Sequence, residues 1–412
     1  MDIEKFDTRL LESMWDGADW KKLESKLLEL QRGIALAAKA GNREAIRVYQ
    51  ERLTNNTDAK MLAVRHVAEN CSTPGVDSRR WKTSAECMLA ALSLSNVSYQ
   101  ASPMKLIVIY ARFSQKERHI KIPTYQDRAM QALHAYSLAP VAETVGDPRS
   151  FAFRKNHSTQ DAHAHIMAAM KNNTYYIVQA DVKSCYASIS HDWLLSNIPM
   201  NTAILREFLN AGHVFAGNFF PADGYGISLG VSISPMLGNM TLDGMQSTIF
   251  EDLHGLRYNE EYCDGHLVRF ADDIFVTASS SERAKRIINI IERFLQLRGM
   301  GLSAEKTKIM NVHQGFDFLS RHYVRNGNVI NSHPSDRAVL KMEHGLNDFI
   351  LSFTGSQKTL IDKLNKKLYG WASYHRITDA SSAFHHIDVV VKALLLKLCQ
   401  QLHPHWTHKK NY

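Results

Sequence analysis

Cysteine is scarce in this chain, and the few present do not pair. Cys71, Cys87, Cys185, Cys263 and Cys399 are scattered, odd in number and form no C-x-x-C. A disulfide scaffold and a cysteine-held structural zinc are thereby excluded, and a reducing compartment fits best. No apolar run approaches the roughly 18 residues of a membrane helix, so no membrane partner is expected. The opening Met1-Asp2-Ile3-Glu4-Lys5 is acidic and amphipathic, unlike a secretion signal or a transit peptide. No repeat or low-complexity segment is evident, and the 20 histidines include no H-E-x-x-H. His163 with His165, and His385 with His386, therefore read as packed or surface residues rather than as zinc or nuclease ligands.

What the chain has is length and positive charge. Its 412 residues call for two or three domains. Lys and Arg outnumber Asp and Glu by 49 to 41, a formal +8 that suits a polyanion such as nucleic acid as well as plain solubility. Apolar spacing of three and four predicts a helix over residues 20–30, a second over 31–40, a third over 43–53 and a fourth through Val67 capped by Asp58. Residues 104–110 and 118–123 read as strands, and a helix is expected from Tyr125 towards Leu138. Ser190 or Asp192 should cap another helix. Residues 279–282 have capping-box spacing ahead of a helix with Ile287, Ile290, Ile291, Phe294 and Leu295 on one face. Beyond about residue 335 the pattern is helical throughout, with Leu360, Leu364, Leu368 and Trp371 on one face and Phe384, Ile387, Val391, Leu394, Leu395 and Leu398 on another. The expected fold class is α+β, with helical segments at both ends.

The chemical signal is Leu267-Val268-Arg269-Phe270-Ala271-Asp272-Asp273-Ile274-Phe275-Val276. Two acids at a break between apolar runs predict a β-hairpin with carboxylates at its tip. Taken alone this is weak, because acids are common in turns. Asp181, 91 residues earlier, ends a second apolar run, Ile177-Val178-Gln179-Ala180. If the two strand ends lie side by side, their carboxylates can share a pair of Mg²⁺ ions. Such a pair clamps the attacking and leaving oxygens of an in-line phosphoryl displacement, the chemistry of a nucleotide polymerase.

The neighbouring blocks sharpen this. Asp181 is followed by Val182-Lys183-Ser184-Cys185-Tyr186. The hairpin is preceded by Gly230-Val231-Ser232-Ile233-Ser234-Pro235-Met236-Leu237-Gly238-Asn239. It is followed by Gly301-Leu302-Ser303-Ala304-Glu305-Lys306-Thr307-Lys308 and Phe316-Asp317-Phe318-Leu319-Ser320. Upstream stand Pro74-Gly75-Val76-Asp77, Ile122-Pro123-Thr124-Tyr125-Gln126-Asp127-Arg128-Ala129 and Ser150-Phe151-Ala152-Phe153-Arg154; downstream stands Tyr369-Gly370-Trp371-Ala372-Ser373-Tyr374-His375-Arg376. In that order the blocks resemble bacterial and organellar reverse transcriptases and maturases of the group II intron type, over nearly the whole chain.

The resemblance implies a right-hand polymerase fold: a helical N-terminal extension (1–75), fingers and palm with antiparallel sheet (76–335), and a helical thumb or maturase-like domain with a short basic tail (336–412). It implies RNA-directed DNA synthesis, in a bacterial cytoplasm rather than an organelle, from an RNA template, a DNA or RNA primer and dNTPs. Two Mg²⁺ ions, or Mn²⁺ in their place, would serve as cofactors, and a cognate structured RNA is a further partner. Asp181, Asp272 and Asp273 would be the catalytic metal ligands, the first two the more direct. Tyr186 would be the steric gate that excludes a 2′-OH, or else a packed core aromatic. Lys116 and Arg118 would face the triphosphate, or remain solvated surface charges. Lys306 would stabilise or protonate leaving pyrophosphate. Phe318 and Leu319 would grip the primer, Ser234, Pro235 and Asn239 belong to the template-side block, and Arg154 would be a template or nucleotide contact or a structural arginine.

The chain departs from the family in places. A Gly-Thr-Pro-Gln-Gly-Gly-like run reads Gly226-Ile227-Ser228-Leu229-Gly230-Val231 here. Leu229 stands for a Gln that touches the incoming nucleotide, and leucine cannot hydrogen-bond a sugar or base edge. Phe270 replaces a commoner Tyr, and Ser320 a Gly. Nothing resembling an HNH nuclease follows the helical module. These departures lean towards a free-standing enzyme of antiviral defence or DNA repair. The alternatives are an intron-encoded maturase acting mainly by gripping RNA, and a template-independent or protein-primed DNA polymerase.

Overall fold

The computed structural model describes residues 7–110, 117–170, 174–228, 232–257, 261–262 and 264–403. Lys116, Leu229, the side chain of Arg118 and the basic tail from residue 404 lie outside the described residues.

The chain opens with α1 (Thr8–Asp16), α2 (Trp20–Lys39), α3 (Arg43–Asn55), α4 (Thr57–Asn70) and α5 (Ser84–Ser93). The two helices expected over residues 20–40 are one. Gly33 does not break it, because its missing side chain admits the Tyr49 ring of α3, which would lie 2.9 Å from a Cβ there. Asn56, not Asp58, caps α4 by accepting from Ala59 N, and Asp58 pairs with Lys26 of α2 instead. Strands β1 (Met104–Tyr110) and β2 (Glu117–Ile122) form a hairpin. Helix α6 (Tyr125–Val145) then runs past its expected end and through Pro140. The proline removes one hydrogen bond, but α6 is buried along most of its length against α2, α3 and α4, and that packing prevails.

Next come α7 (Thr159–Ala169), β3 (Tyr176–Asp181), the single turn α8 (Cys185–Ser188), α9 (His191–Asn197), α10 (Thr202–Asn210) and the hairpin of β4 (His213–Phe215) with β5 (Asn218–Phe220). They are followed by α11 (Ser234–Leu242), α12 (Met245–His254), β6 (Leu267–Phe270), β7 (Asp273–Ala278) and α13 (Ser281–Gln296). Ser190 caps α9 and Ser280 caps α13. The chain continues through β8 (Lys308–Asn311), β9 (Phe316–Phe318), β10 (Arg321–Asn326) and β11 (Val329–Pro334). It closes with α14 (Asp336–Leu351), α15 (Gln357–His375) and α16 (Ser381–Leu402).

Among the described residues the strands form three sheets, ordered β2-β1-β4-β5, β6-β7-β3-β8 and β11-β10-β9. The pairings are antiparallel except that of β1 with β4. Alternation sorts the two faces of the β6-β7-β3-β8 sheet. Val178, Ala180, Ile274 and Val276 join the large core that runs from Leu11 through α6 and α13 to Met300. Ile177, Val268 and Phe275 turn the other way, onto Phe151, Ile166, Phe316, Phe318 and Tyr323. With both faces covered, the strands are mostly apolar along their length, and a charged side chain stands either at a strand end or, inside a strand, only with a buried partner. A third core, around Leu346, Ile350, Leu364 and Ile387, belongs to α14–α16 alone. The fold is thus α+β with mainly antiparallel sheets. No helix among the described residues is long and apolar enough to cross a membrane.

Candidate active site

β3 and β7 pair in a register that sets Asp181 opposite Asp273. Directly opposed residues share a face, with Cβ atoms about 5 Å apart. β6 and β7 close through Phe270 and Asp273, leaving Ala271 and Asp272 as the two turn residues. Ala271 takes φ 58°, the left-handed conformation that tight hairpin turns need at their first central residue. The turn brings Asp272 beside the Asp181–Asp273 pair. Burial pushes the Asp273 carboxyl up to about 6, and the charges of Asp272 and Asp181 add to the rise. Burial also raises Asp272, with Asp181 adding and Lys306 opposing. Lys306 Nζ donates to Asp181 Oδ2 at 2.8 Å, which holds the ammonium above its ordinary range. Among the described residues, no group of three or more His, Cys, Asp or Glu side chains is gathered closely enough to hold a metal ion as it stands.

After Asp181 the chain turns sharply, with Ser184 at φ 48°, into α8. Half-buried Tyr186 lies against α11, where a Cβ on Gly238 would be 3.2 Å from its ring. Burial lifts its phenol to about 12, so the hydroxyl stays protonated at neutral pH. Burial lifts the Cys185 thiol to about 12 as well, which leaves it unreactive. Residues 226–228 are laid along this turn: Ile227 N donates to Tyr186 O and Gly226 N to Ile189 O, both at 2.7 Å. Gly226 has φ 83°, and a Cβ there would meet Ala187 O at 2.9 Å, so this close approach needs glycine.

A buried charge network lies behind the hairpin tip. Arg269 is fully enclosed and donates to Asp243 Oδ1 at 2.6 Å, to Asn239 Oδ1 at 3.1 Å, and to the carbonyls of Asn239 and Ala271. Asp147 accepts from Gly244 N at the start of α12, and its own N–H donates to Asp243. Burial raises Asp243 to about 6 even beside Arg269. Sequence reasoning missed Arg269 and Asp243. The available signal was an arginine inside an apolar strand, Val268-Arg269-Phe270.

The remaining expected residues fall in two places. Asn239 Nδ2 donates to Ala152 O at 2.7 Å, Ser234 is buried and Pro235 sits in the first turn of α11, so this block braces the site from within. The Arg154 guanidinium is engaged by Glu143 and by the carbonyls of Asp147 and Ser150, which favours the structural of its two roles. Phe318 is buried in the second core. Leu319 and Ser320 form the β9–β10 turn with φ 48° and 62°, which explains why glycine suits the Ser320 position. Tyr374, also missed, fastens that turn to α15: its Oη donates to Leu319 O at 2.7 Å. Fully buried Arg321 lies 4.3 Å from the Tyr374 ring and donates to Thr159 O and Tyr374 O.

Comparison with known proteins bears on the whole chain. The family model described as reverse transcriptase (RNA-dependent DNA polymerase) matches residues 111–323, more than half of the chain. The model of the N-terminal domain of reverse transcriptase matches 15–94, and that of the group II intron maturase-specific domain matches 341–412. Maturase-like protein 1 of Euglena gracilis is 22% identical over 90% of this chain and 80% of its own length. Protein YkfC of Escherichia coli strain K12 is 23% identical over 63% of this chain and 77% of its own. The group II intron-encoded protein LtrA of Lactococcus lactis subsp. cremoris is 23% identical over 55% of this chain and 40% of its own. An N-terminal reverse transcriptase domain, a polymerase domain and a maturase-specific domain follow one another here, and the chain belongs to the reverse transcriptase family, in its group II intron type, as an RNA-directed DNA polymerase.

Proposed function

We propose that Asp181, Asp272 and Asp273 are the catalytic centre of this polymerase and that it extends primers by two-metal nucleotidyl transfer. The observation that carries the reading is the β3–β7 register, with Asp181 opposite Asp273 and next to the turn residue Asp272. One ammonium against three acids leaves negative charge uncompensated, and this adds to the burial that raises the carboxyls of Asp272 and Asp273. Carboxylate oxygens in that condition suit hard divalent cations, Mg²⁺ above all, with Mn²⁺ an acceptable substitute. When bound, such ions stabilise charge on the attacking and leaving oxygens. Asp181 and Asp272 hold them, and Asp273 shapes the acidic cluster.

The other residues bind and orient. Lys116 and Arg118 take the triphosphate. Tyr186, its ring immobilised against α11, excludes a 2′-OH and selects dNTP over rNTP. Leu229 leaves the nucleotide without a side-chain amide. Lys306 gives a proton to departing pyrophosphate. Phe318, buried in the second core, anchors the β9–β10 turn from which Leu319 meets the primer end, and Ser234, Pro235 and Asn239 support the template-side block. In this reading residues 1–75 are the N-terminal extension, 76–335 the fingers and palm, and 336–412 the thumb. The Leu229 departure leans this reading towards a free-standing cytoplasmic enzyme of defence or repair; flanking DNA that encodes intron RNA structure would count against it.

Purified protein given a primed RNA template, dNTPs and Mg²⁺ should extend the primer, and Asp272→Ala should reduce extension to background. No extension by the parent, or equal extension by the variant, rejects the mechanism. A second reading, a maturase acting on RNA, is favoured by the maturase-specific match over residues 341–412 and the likeness to Maturase-like protein 1. It requires splicing support that survives Asp272→Ala; splicing lost together with polymerisation would sink it.

A further inference from the structure

The segment that carries Lys306 is fastened to the end of β3. Lys183 N donates to Gly301 O at 2.9 Å, Ser303 N donates to Asp181 O at 2.8 Å, and Val182 bridges Leu302. The segment then closes on itself. Lys306 N and Thr307 N donate to Ser303 O at 3.1 and 2.9 Å, and Thr307 Oγ1 does so at 2.8 Å. The backbone of Lys306 is therefore tied to the same residue, Asp181, whose carboxylate its ammonium meets at 2.8 Å. Exposed ion pairs are weak largely because two flexible side chains must be ordered to make them. Here the Lys306 side chain is 63% exposed, yet its backbone is already held in place and Asp181 is only 15% exposed. Among the described residues, Asp272 and Asp273 make no ion pair of their own, so this ammonium is the counter-charge of the cluster.

We infer that Lys306 is an internal competitor of the divalent cation: its ammonium holds Asp181 Oδ2, and an ion takes that oxygen by displacing it. The inference rests on the proposed role of Asp181. While no nucleotide is present, the ammonium partly neutralises the acids and discourages ion loading. A triphosphate brings the ion with it and offers the freed ammonium new anionic oxygens. Lys306 thereby makes ion loading depend on the arrival of nucleotide.

The test is a Mn²⁺ titration of the full chain without nucleotide, the free ion being read by electron paramagnetic resonance. The proteins are the parent, Lys306→Met, Lys306→Arg and Asp272→Asn. Lys306→Met should bind Mn²⁺ roughly tenfold more tightly than the parent, and Lys306→Arg within about twofold of it. Asp272→Asn should bind more weakly than the parent. Addition of a dNTP should narrow the gap between the parent and Lys306→Met. Equal affinities for those two, with Asp272→Asn still weakened, would overturn the competition and leave the proposed site standing. Mn²⁺ binding indifferent to Asp272→Asn, or absent from every protein, would overturn both.

Discussion

Two charged clusters stand back to back across the β6–β7 hairpin, and they differ in how their charge is met. Behind the tip, Asp243 faces the fork of a fully buried arginine at 2.6 Å and a backbone N–H of Asp147. In front, Asp181, Asp272 and Asp273 share one exposed lysine, bonded to Asp181. Each cluster has a carboxyl pushed up to about 6, Asp243 behind and Asp273 in front, so a raised pKa alone does not separate them. The partners do. Asp243 is raised by burial, with Arg269 pulling down more strongly than Asp147 pushes up, whereas Asp273 is raised by burial and by two more acids that outweigh Lys306. Hydrogen-bonded, paired charge in a closed space fixes backbone; crowded like charge beside solvent is what a cationic ligand relieves.

The largest effect that separates the clusters should come from Arg269→Met. It leaves Asp243 and Asp147 buried without their cation and frees the carbonyl of Ala271. A loss of about 3–5 kcal/mol in urea unfolding is expected, as for other broken buried pairs. A loss below about 1 kcal/mol would mean that the rear cluster is no brace, and the contrast drawn above would fail.

The front cluster should respond with the opposite sign. A carboxyl whose pKa is higher folded than unfolded binds its proton more tightly in the folded protein. Stability therefore falls as pH rises from the ordinary carboxylate range, near 4, to about 6, and the penalty is fully present above that. Asp273→Asn should relieve it. The variant should be more stable than the parent above pH 6 by about 1–2 kcal/mol after allowance for solvent screening, and the two should converge near pH 4. Unfolding curves across that range measure this, and a gap that does not change with pH would sink it.

How far this was legible beforehand differs between the same two clusters. Asp181 and the Asp272-Asp273 pair could be read because they stand where apolar strands end, Asp181 and Asp273 at strand ends and Asp272 in the turn between β6 and β7. The order of the surrounding blocks did the rest. The rear cluster draws on residues 147, 239, 243 and 269, from a loop, a helix, a helix end and a strand, and no local spacing links them. Asn239 and Arg154 stood out in the sequence by their place in the ordered blocks, but not by what they touch, because the sequence does not reveal that Ala152 O, Glu143 and Asp147 O take their donors. Helix ends failed between residues 30 and 31, where α2 runs on unbroken, and near Leu138, where packing carries α6 through Pro140.

Ala271 joins the two clusters, and it gives the smallest and most discriminating change. Its carbonyl accepts from Arg269 at 3.4 Å while its φ of 58° turns the chain towards Asp272. An alanine held left-handed costs about 1–2 kcal/mol that glycine avoids. Glycine gains no more than that, because it also has a larger unfolded-state entropy to lose. Ala271→Gly should therefore alter stability by less than about 1 kcal/mol in either direction. If the front cluster depends on geometry rather than on stability, the same variant should still slow single-nucleotide addition several-fold, because Asp272 no longer has a stiff neighbour to aim it. Unchanged addition at unchanged stability would show that the strained turn does not aim Asp272.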